Sequence, residues 1–176
     1  MSPGEHIRIE AYSELYADQV VALAQEMQAE SQSHNDMPIN EKKLREQLAC
    51  SHTMPESVYM RIAVVGETVV GGFFGIISKT FFSDELSARD MAWFVKRDRR
   101  GSMAALKLVA DFEQWGLDRG VRKFFLGQST GVAIETTTKL YEHLGYRVIG
   151  FNTVKDVSDE VTIRSGSGAG RDFPSA

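Results

Sequence analysis

The sequence predicts a single α/β domain, built on a mixed, mostly antiparallel sheet with about four flanking helices. Three observations predict this class. The chain has 176 residues, of which 43% are hydrophobic and 25% charged, and these values are typical of one globular domain. Its apolar residues alternate in some segments and recur at helical spacing in others. The segments follow one another in the order β-α-α-β-β-β-α-β-α-β.

The first part of the chain predicts one strand and two helices. Ile7 and Ile9 alternate with polar neighbours in HIRIEAYS, which is typical of a half-buried strand. A helix is predicted from Tyr16, with one apolar stripe made of Val20, Leu23, Ala24 and Met27. After the loop QSHNDMPIN, Asn40 is a natural N-cap for a second helix, EKKLREQLACS.

The middle of the chain predicts a hairpin and one further strand. SVYMRIAVV and TVVGGFFGIIS are rich in β-branched and aromatic residues, and the two residues GE separate them. This arrangement predicts an antiparallel hairpin with a short turn. KTFFSDELSA is predicted to be the connection to the next strand, RDMAWFV, which covers residues 89–95.

The last part of the chain predicts two helices, each followed by a strand. The first helix is predicted from about Ser102 to Asp118. Its apolar residues, which recur every three positions and would face the sheet, are Leu106, Val109, Phe112 and Trp115. KFFLGQS is the strand after it, AIETTTKLYEHLG is the second helix and YRVIGFNTVKDV is the final strand. Gly120 and Gly145 are natural C-terminal caps for the two helices.

The strand–helix–strand unit between residues 89 and 127 makes the predicted sheet mixed, because two strands joined in this way need a parallel, right-handed crossover. We expect the folded domain to cover residues 1–157. Residues 158–176 are rich in glycine and serine, and we expect them to form a flexible tail.

Composition and charge exclude several classes of protein. The formal net charge of −4 argues against general nucleic-acid binding. The single cysteine, Cys50, cannot form an internal disulfide and is expected to have a packing role. No apolar run approaches the roughly 20 residues of a membrane span, and MSPGEHIRIE lacks the apolar core of a signal peptide. The four histidines show no metal-ligand spacing. We therefore expect a cytoplasmic protein without metal.

A basic cluster precedes the third predicted helix. KRDRR, residues 96–100, is followed by Gly101 and Ser102 and then by the apolar-periodic run. A helix N-terminus has unpaired backbone N–H groups and the positive end of the helix dipole, so this junction is a candidate phosphate site. On this stretch alone, the alternative that KRDRR is a solvated charged loop stays open.

Two motifs resemble those of one enzyme superfamily. RGSMAALKLV, after a strand that ends in WFV, resembles the pyrophosphate loop Q/R-x-x-G-x-G/A of the GNAT superfamily of acyl-CoA N-acyltransferases. The aligned residues are Arg100, Gly101, Ser102, Met103, Ala104 and Ala105. TTTKLYEHLGY resembles the superfamily pattern A-x-x-L-Y-x-x-x-G-F/Y. The order of elements agrees from Ile7 to about Val157, and the chain looks similar to small bacteriophage-type members.

Two positions depart from the superfamily pattern. Met103 takes the place of the central glycine of the loop, and Ile134 takes the place of an asparagine that many members carry. The resemblance implies a GNAT-like fold, with a twisted sheet of six to seven strands. It also implies an N-acetyltransferase that moves an acetyl group from acetyl-CoA directly to a primary amine, through a tetrahedral intermediate.

The resemblance also assigns roles to particular residues. The loop from Arg100 to Ala105 would bind acetyl-CoA, and the backbone N–H of Phe94 or Val95 would hold the oxyanion. Tyr141 would give a proton to the leaving thiolate. Asp90 is the first candidate for the general base, while Glu85 lies further off in a loop. The alternatives are that Asp90 is a strand-end surface residue and that Tyr141 only packs against the sheet.

The acceptor and the partners stay open. His34 and Asp36 lie in the loop where the superfamily builds one acceptor wall, and Phe81 and Phe82 would line the other wall or fill core. The acceptor is a small-molecule amine or a protein amine. A second hypothesis is a weakly active or inactive GNAT-fold protein that binds a partner protein, such as a host protein. A homodimer is compatible with both hypotheses.

Overall fold

The computed structural model describes residues 6–154, and within them the chain forms five strands and four helices. The elements are β1 Ile7–Ala11, α1 Ala17–Glu30, α2 Glu41–Thr53, β2 Val58–Val65, β3 Thr68–Thr80, β4 Ser83–Val95, α3 Ala104–Leu117, β5 Lys123–Phe125 and α4 Ile134–His143. The predicted cap of α2 is confirmed, because the Asn40 side chain accepts a hydrogen bond from the Lys43 N–H at 3.0 Å.

The strands form one sheet in the order β1-β2-β3-β4-β5. β1 to β4 pair with their neighbours in antiparallel fashion, and β5 pairs with β4 in parallel. The sheet is therefore mixed, as predicted, and α3 provides the predicted crossover between β4 and β5. The predicted count of six to seven strands is wrong for the described residues, which form five.

The predicted final strand is not formed by residues 146–154, and the last three residues of that prediction, with the tail, lie outside the described residues. Val148, Ile149 and Phe151 are exposed to 65, 66 and 90%. A strand needs a neighbouring edge with which to pair its backbone, and β5 offers an edge of only three residues. An apolar sequence alone therefore does not make this segment a strand.

β3 and β4 form a second hairpin, which was not predicted. KTFFSDELSA was expected to be a connection, but β3 runs to Thr80 and β4 begins at Ser83, so only Phe81 and Phe82 form the loop. Backbone pairing between the two arms continues up to Thr80 and Ser83. The Lys79 ammonium lies 2.9 Å from the Asp84 carboxylate at its end.

Two hydrophobic cores lie on the two faces of the sheet. On one face α3 packs through Leu108, Val109, Phe112 and Trp115 against Tyr59, Val70 and Phe73. Leu108, and not the predicted Leu106, is the fully buried leucine of this helix. Gly75 is needed for the close approach, since a Cβ there would lie 2.6 Å from the Phe112 ring. On the other face, α1 and α2 cover Ile62, Val64 and Val69.

In the part of the chain that the structure describes, each helix is too short or too polar to cross a membrane.

Candidate active site

A β-bulge in β4 orients the side chains of the candidate site. Gly75 pairs with Asp90 and Phe74 pairs with Ala92, so Met91 is an extra residue without a partner in β3. Successive residues of a regular strand point to opposite faces of the sheet. In a regular strand, Asp90 and Trp93, which are three residues apart, would therefore point to opposite faces. The extra residue reverses this alternation, so Asp90 and Trp93 point to the same face of the sheet. This is the face that α3 covers.

β4 and β5 part just before the bulge. They pair only where Ser87, Ala88 and Arg89 meet Lys123, Phe124 and Phe125. At the opening, the backbone N–H of Gly127 donates a hydrogen bond to Oδ1 of Asp90 at 2.9 Å. The Asp90 carboxylate thus joins the two strands at the point where their pairing ends.

Tyr141 reaches the same opening from α4. Its hydroxyl donates to the backbone carbonyl of Gly127 at 2.9 Å. The indole Nε1–H of Trp93 donates to the Tyr141 hydroxyl at 3.2 Å. The structure therefore brings together the predicted base and the predicted acid, because Asp90 and Tyr141 bind the N–H and the C=O of the same glycine.

Burial changes the acidity of both groups. Burial raises the pKa of Asp90 to about 6, although the N–H of Gly127 acts in the opposite direction. Burial also raises the pKa of Tyr141 to about 12; the Trp93 N–H lowers it and the charge of Asp90 raises it further. At neutral pH, Asp90 is therefore an ionised carboxylate with raised basicity, and Tyr141 keeps its proton.

Trp93 and Gly127 are site residues that the sequence did not indicate, and Tyr146, the last residue of the second motif, lies beside them. The Tyr146 hydroxyl donates to the Glu113 carboxylate at 2.7 Å, and its ring lies 6.1 Å from that of Tyr141. This bond ties the end of α4 to α3. An aromatic residue in a strand is usually a core residue, so nothing in the local pattern marks Trp93 as a neighbour of Tyr141.

Only one of the two predicted oxyanion donors is directed into the opening. The N–H of Lys96 donates to the Val70 carbonyl at 2.9 Å, so the ladder alternation puts Phe94 in the next bonded pair, opposite Gly72. The N–H of Val95 lies between these two bonded pairs. It therefore points away from β3, towards the space where β5 has separated.

The junction before α3 has the features of an anion site. Gly101 has φ +81°, a left-handed conformation that favours glycine, and it turns the chain into the helix. The N–H groups of the first turn have no helix carbonyl to which they can donate. Ser102 Oγ accepts from the Ala104 N–H at 3.3 Å, while the amides of Ala105 and Leu106 follow in the same turn.

Met103 occupies the position of the missing glycine without strain. Its backbone has φ −71° and ψ −2°, which any residue adopts. Its side chain is 54% exposed, so it points largely into solvent. The departure from the superfamily pattern therefore leaves the backbone of the turn intact and adds a flexible side chain at its surface.

The cations of the junction are partly neutralised by α1. Arg100 contacts the Glu30 carboxylate at 2.5 Å, donates to the Val95 carbonyl at 3.2 Å and lies 5.0 Å from the centre of the Phe94 ring. The Lys96 ammonium lies 3.7 Å from the Glu26 carboxylate. In this structure, carboxylates of α1 therefore engage both Arg100 and Lys96.

The loop between α1 and α2 adjoins the opening. The N–H of Gln32 donates to the Thr130 carbonyl at 2.7 Å, so this loop is joined to the β5–α4 loop. The hydroxyl of Ser33 lies 2.7 Å from Nδ1 of His34, and Ser33 also donates to the Ser129 carbonyl. His34 is therefore held close to the β5–α4 loop, whereas Asp36 is exposed.

No family model matches the chain, and neither does any curated protein. Three solved structures resemble it closely in fold. An acetyltransferase of Trypanosoma brucei has a TM-score of 0.67 at 15% identity, over 86% of this chain and 100% of the other. Glucosamine-6-phosphate N-acetyltransferase of Arabidopsis thaliana has a TM-score of 0.66 at 13% identity, over 88% of this chain and 100% of the other. AAC(6')-Iy, in complex with the bisubstrate analogue CoA-S-monomethyl-acetylneamine, has a TM-score of 0.62 at 17% identity, over 85% of this chain and 99% of the other. The likeness establishes the GNAT-like fold.

Three residues singled out by sequence lie outside this site. Phe81 and Phe82 are exposed to 100 and 76% at the tip of the β3–β4 hairpin, so neither fills core nor lines a wall of this opening. Glu85 lies near the same tip, on β4, and is exposed. The strand carries these residues away from Asp90, which leaves Asp90 as the carboxylate at the opening.

Among residues 6–154, no three His, Cys, Asp or Glu side chains are grouped as metal ligands would be. Cys50 lies on α2, where its thiol is 3.3 Å from the Glu46 carbonyl of the preceding turn.

Proposed function

We propose that the chain is an acetyl-CoA-dependent N-acetyltransferase, which transfers the acetyl group directly to a primary amine. One observation carries the proposal. A carboxylate and a phenol, Asp90 and Tyr141, both bind the backbone of Gly127, within an opening of the sheet. The adjoining helix N-terminus presents amides suited to phosphate groups. Proteins of similar fold are acetyltransferases, and one of them binds an analogue that contains CoA.

In this proposal Asp90 acts on the amine. An alkylammonium has a reference pKa near 10.4, so it must lose a proton before its nitrogen can attack. Asp90 takes that proton, directly or through a water molecule, and its pKa of about 6 keeps it ionised at neutral pH. The nitrogen then adds to the thioester carbonyl, and the second proton that it has to lose passes to solvent, as does the proton that Asp90 has taken up. The Val95 N–H donates to the oxygen that becomes negative.

Tyr141 acts on the other side of the reaction. When the tetrahedral intermediate collapses, the C–S bond breaks and the thiolate takes the phenolic proton of Tyr141, which solvent later replaces. A thiol has a reference pKa of about 8.5. With a pKa of about 12, Tyr141 is the weaker acid, so any contact that stabilises its phenolate assists this step.

A second candidate is a weakly active or inactive GNAT-fold protein that binds a partner protein. One observation favours it. Arg100 and Lys96 are paired with Glu30 and Glu26, so much of the positive charge that would attract a pyrophosphate is already neutralised. In this case the acceptor site would have no chemical role.

Acetyl-CoA binding and turnover distinguish the two candidates. If the junction holds the pyrophosphate, acetyl-CoA raises the melting temperature, because a ligand that binds only the folded state stabilises it. Calorimetry measures the affinity for acetyl-CoA. Release of free thiol is then followed with a panel of polyamines, amino acids and lysine peptides. Absence of binding at millimolar acetyl-CoA contradicts the enzyme proposal, and binding without turnover on the whole panel favours the second candidate.

A further inference from the structure

We infer that Trp93 is a positioning residue, whose indole N–H holds the Tyr141 hydroxyl in place for proton donation. The inference rests on the proposed function, since the step it assists is protonation of the leaving thiolate. Trp93 belongs to neither sequence motif, and its role comes from its contact with Tyr141 across the opening.

The direction of each hydrogen bond is fixed by the donors available. An indole N–H can only donate, so in the 3.2 Å contact the Tyr141 oxygen is the acceptor. The single hydroxyl proton of Tyr141 is directed to the Gly127 carbonyl at 2.9 Å. The hydroxyl is thus held between a sheet residue and a loop residue, and a thiolate in the opening has only to replace Gly127 as the acceptor.

Trp93 is itself firmly held. The bulge at Met91 turns it to the α3 face, where it packs against the core, and its ring stacks on Phe73 at 6.2 Å. Its indole also lies 6.1 Å from the Tyr141 ring, at an angle of 45°. The Trp93 N–H is thus fixed to the sheet, and it can orient the side chain of Tyr141, which lies on the more peripheral helix α4.

The charges around Tyr141 explain why this contact matters. The carboxylate of Asp90 on β4 and the burial of the phenol both raise the pKa of Tyr141. Tyr146, after α4, faces it with a neutral phenol, and Glu113 on α3 is bound to Tyr146. The Trp93 N–H lowers the pKa, because a hydrogen bond to a phenolate is stronger than one to a phenol. Its stabilisation therefore increases as the proton leaves.

The two tryptophans of the chain provide a matched pair of variants. Trp93→Phe keeps a ring against Phe73 and removes the N–H. Trp115→Phe removes the other indole N–H, which donates to the Pro55 carbonyl at 3.3 Å, away from the opening. With acetyl-CoA and an amine found on the panel, we expect Trp93→Phe to lower kcat about ten- to a hundredfold, as for a hydrogen bond to a charged group. We expect the KM for acetyl-CoA to stay within about threefold.

A second readout is independent of turnover. NMR resolves the two indole N–H signals, and we compare their hydrogen-exchange rates in the parent and in Tyr141→Phe. We expect exchange of the Trp93 signal to accelerate about tenfold or more, because its acceptor is lost, and the Trp115 signal to be unchanged. An unchanged Trp93 signal overturns the inference, as does an unchanged kcat in Trp93→Phe. If the parent turns over no amine, the proposed function fails, while the exchange rates still decide whether Trp93 holds Tyr141.

Discussion

Asp90 lies half-buried where β4 and β5 part, and its environment disfavours its charge. The pKa of a free aspartate is 3.8, and burial raises that of Asp90 to about 6. Between these values the folded protein holds a proton that the unfolded chain has released. The contribution of Asp90 to stability is therefore complete below about pH 4 and is lost as the pH rises through 6.

Asp90→Asn tests this at the residue scale. The amide oxygen can still accept from the Gly127 N–H, but it carries no charge. We expect the free energy of unfolding of the variant, relative to that of the parent, to be about 1–3 kcal/mol larger at pH 8 than at pH 4, because only the parent loses stability as Asp90 ionises. Urea unfolding at the two pH values measures it. Asp84→Asn, on the exposed hairpin arm, is the control and should show no such change. The same difference at both pH values for Asp90→Asn would mean that the carboxylate is solvated.

At the scale of elements, two ion pairs connect α1 to the junction before α3. Glu26 and Glu30 lie one turn apart on α1, and each is paired with one cation of the basic cluster. Such pairs at a surface contribute little to stability, about 0–1 kcal/mol. Their larger effect here is on the electrostatic potential at the α3 N-terminus, where an anion would bind.

Glu30→Gln and Arg100→Gln test this arrangement. If Arg100 contributes to phosphate binding, Glu30→Gln frees it and should raise acetyl-CoA affinity about two- to fivefold, while Arg100→Gln lowers it. Calorimetry provides both values. Glu46→Gln on α2, whose carboxylate is 4.0 Å from the Lys42 ammonium, is the control for a lost negative charge. Should Glu30→Gln weaken binding as much as Arg100→Gln, the pair would be a structural unit and Arg100 no phosphate contact.

For the whole molecule, the sequence predicts local features better than distant ones. The Asn40 cap, the β2–β3 hairpin and α3 were predictable because their signals are local: a capping side chain, a two-residue turn and an apolar stripe. The residues Asp90 and Tyr141 came from the resemblance, and the structure places both against the backbone of Gly127.

Other features depend on contacts between segments distant in sequence. The bulge at Met91 lies in RDMAWFV, a segment with no glycine or proline to indicate it, yet it decides that Trp93 faces Tyr141. Residues 83–88 were predicted to belong to a connection, but backbone pairing with β3 extends β4 through them. Conversely, residues 146–154 have the composition of a strand and form none, because β5 is short. The likeness to bacteriophage-type proteins stays a prediction.

The central claim is that this opening transfers an acetyl group, with Tyr141 as the proton donor. Turnover by Tyr141→Phe, compared with its acetyl-CoA affinity, tests it most directly. The variant keeps the ring and loses one hydroxyl. Tyr16→Phe, whose hydroxyl is 3.3 Å from the Glu10 carboxylate, is the matched control and should behave as the parent. We predict that kcat falls at least ~100-fold in Tyr141→Phe while acetyl-CoA affinity stays within a few-fold. A kcat equal to that of the parent, with a responsive amine, would contradict the account.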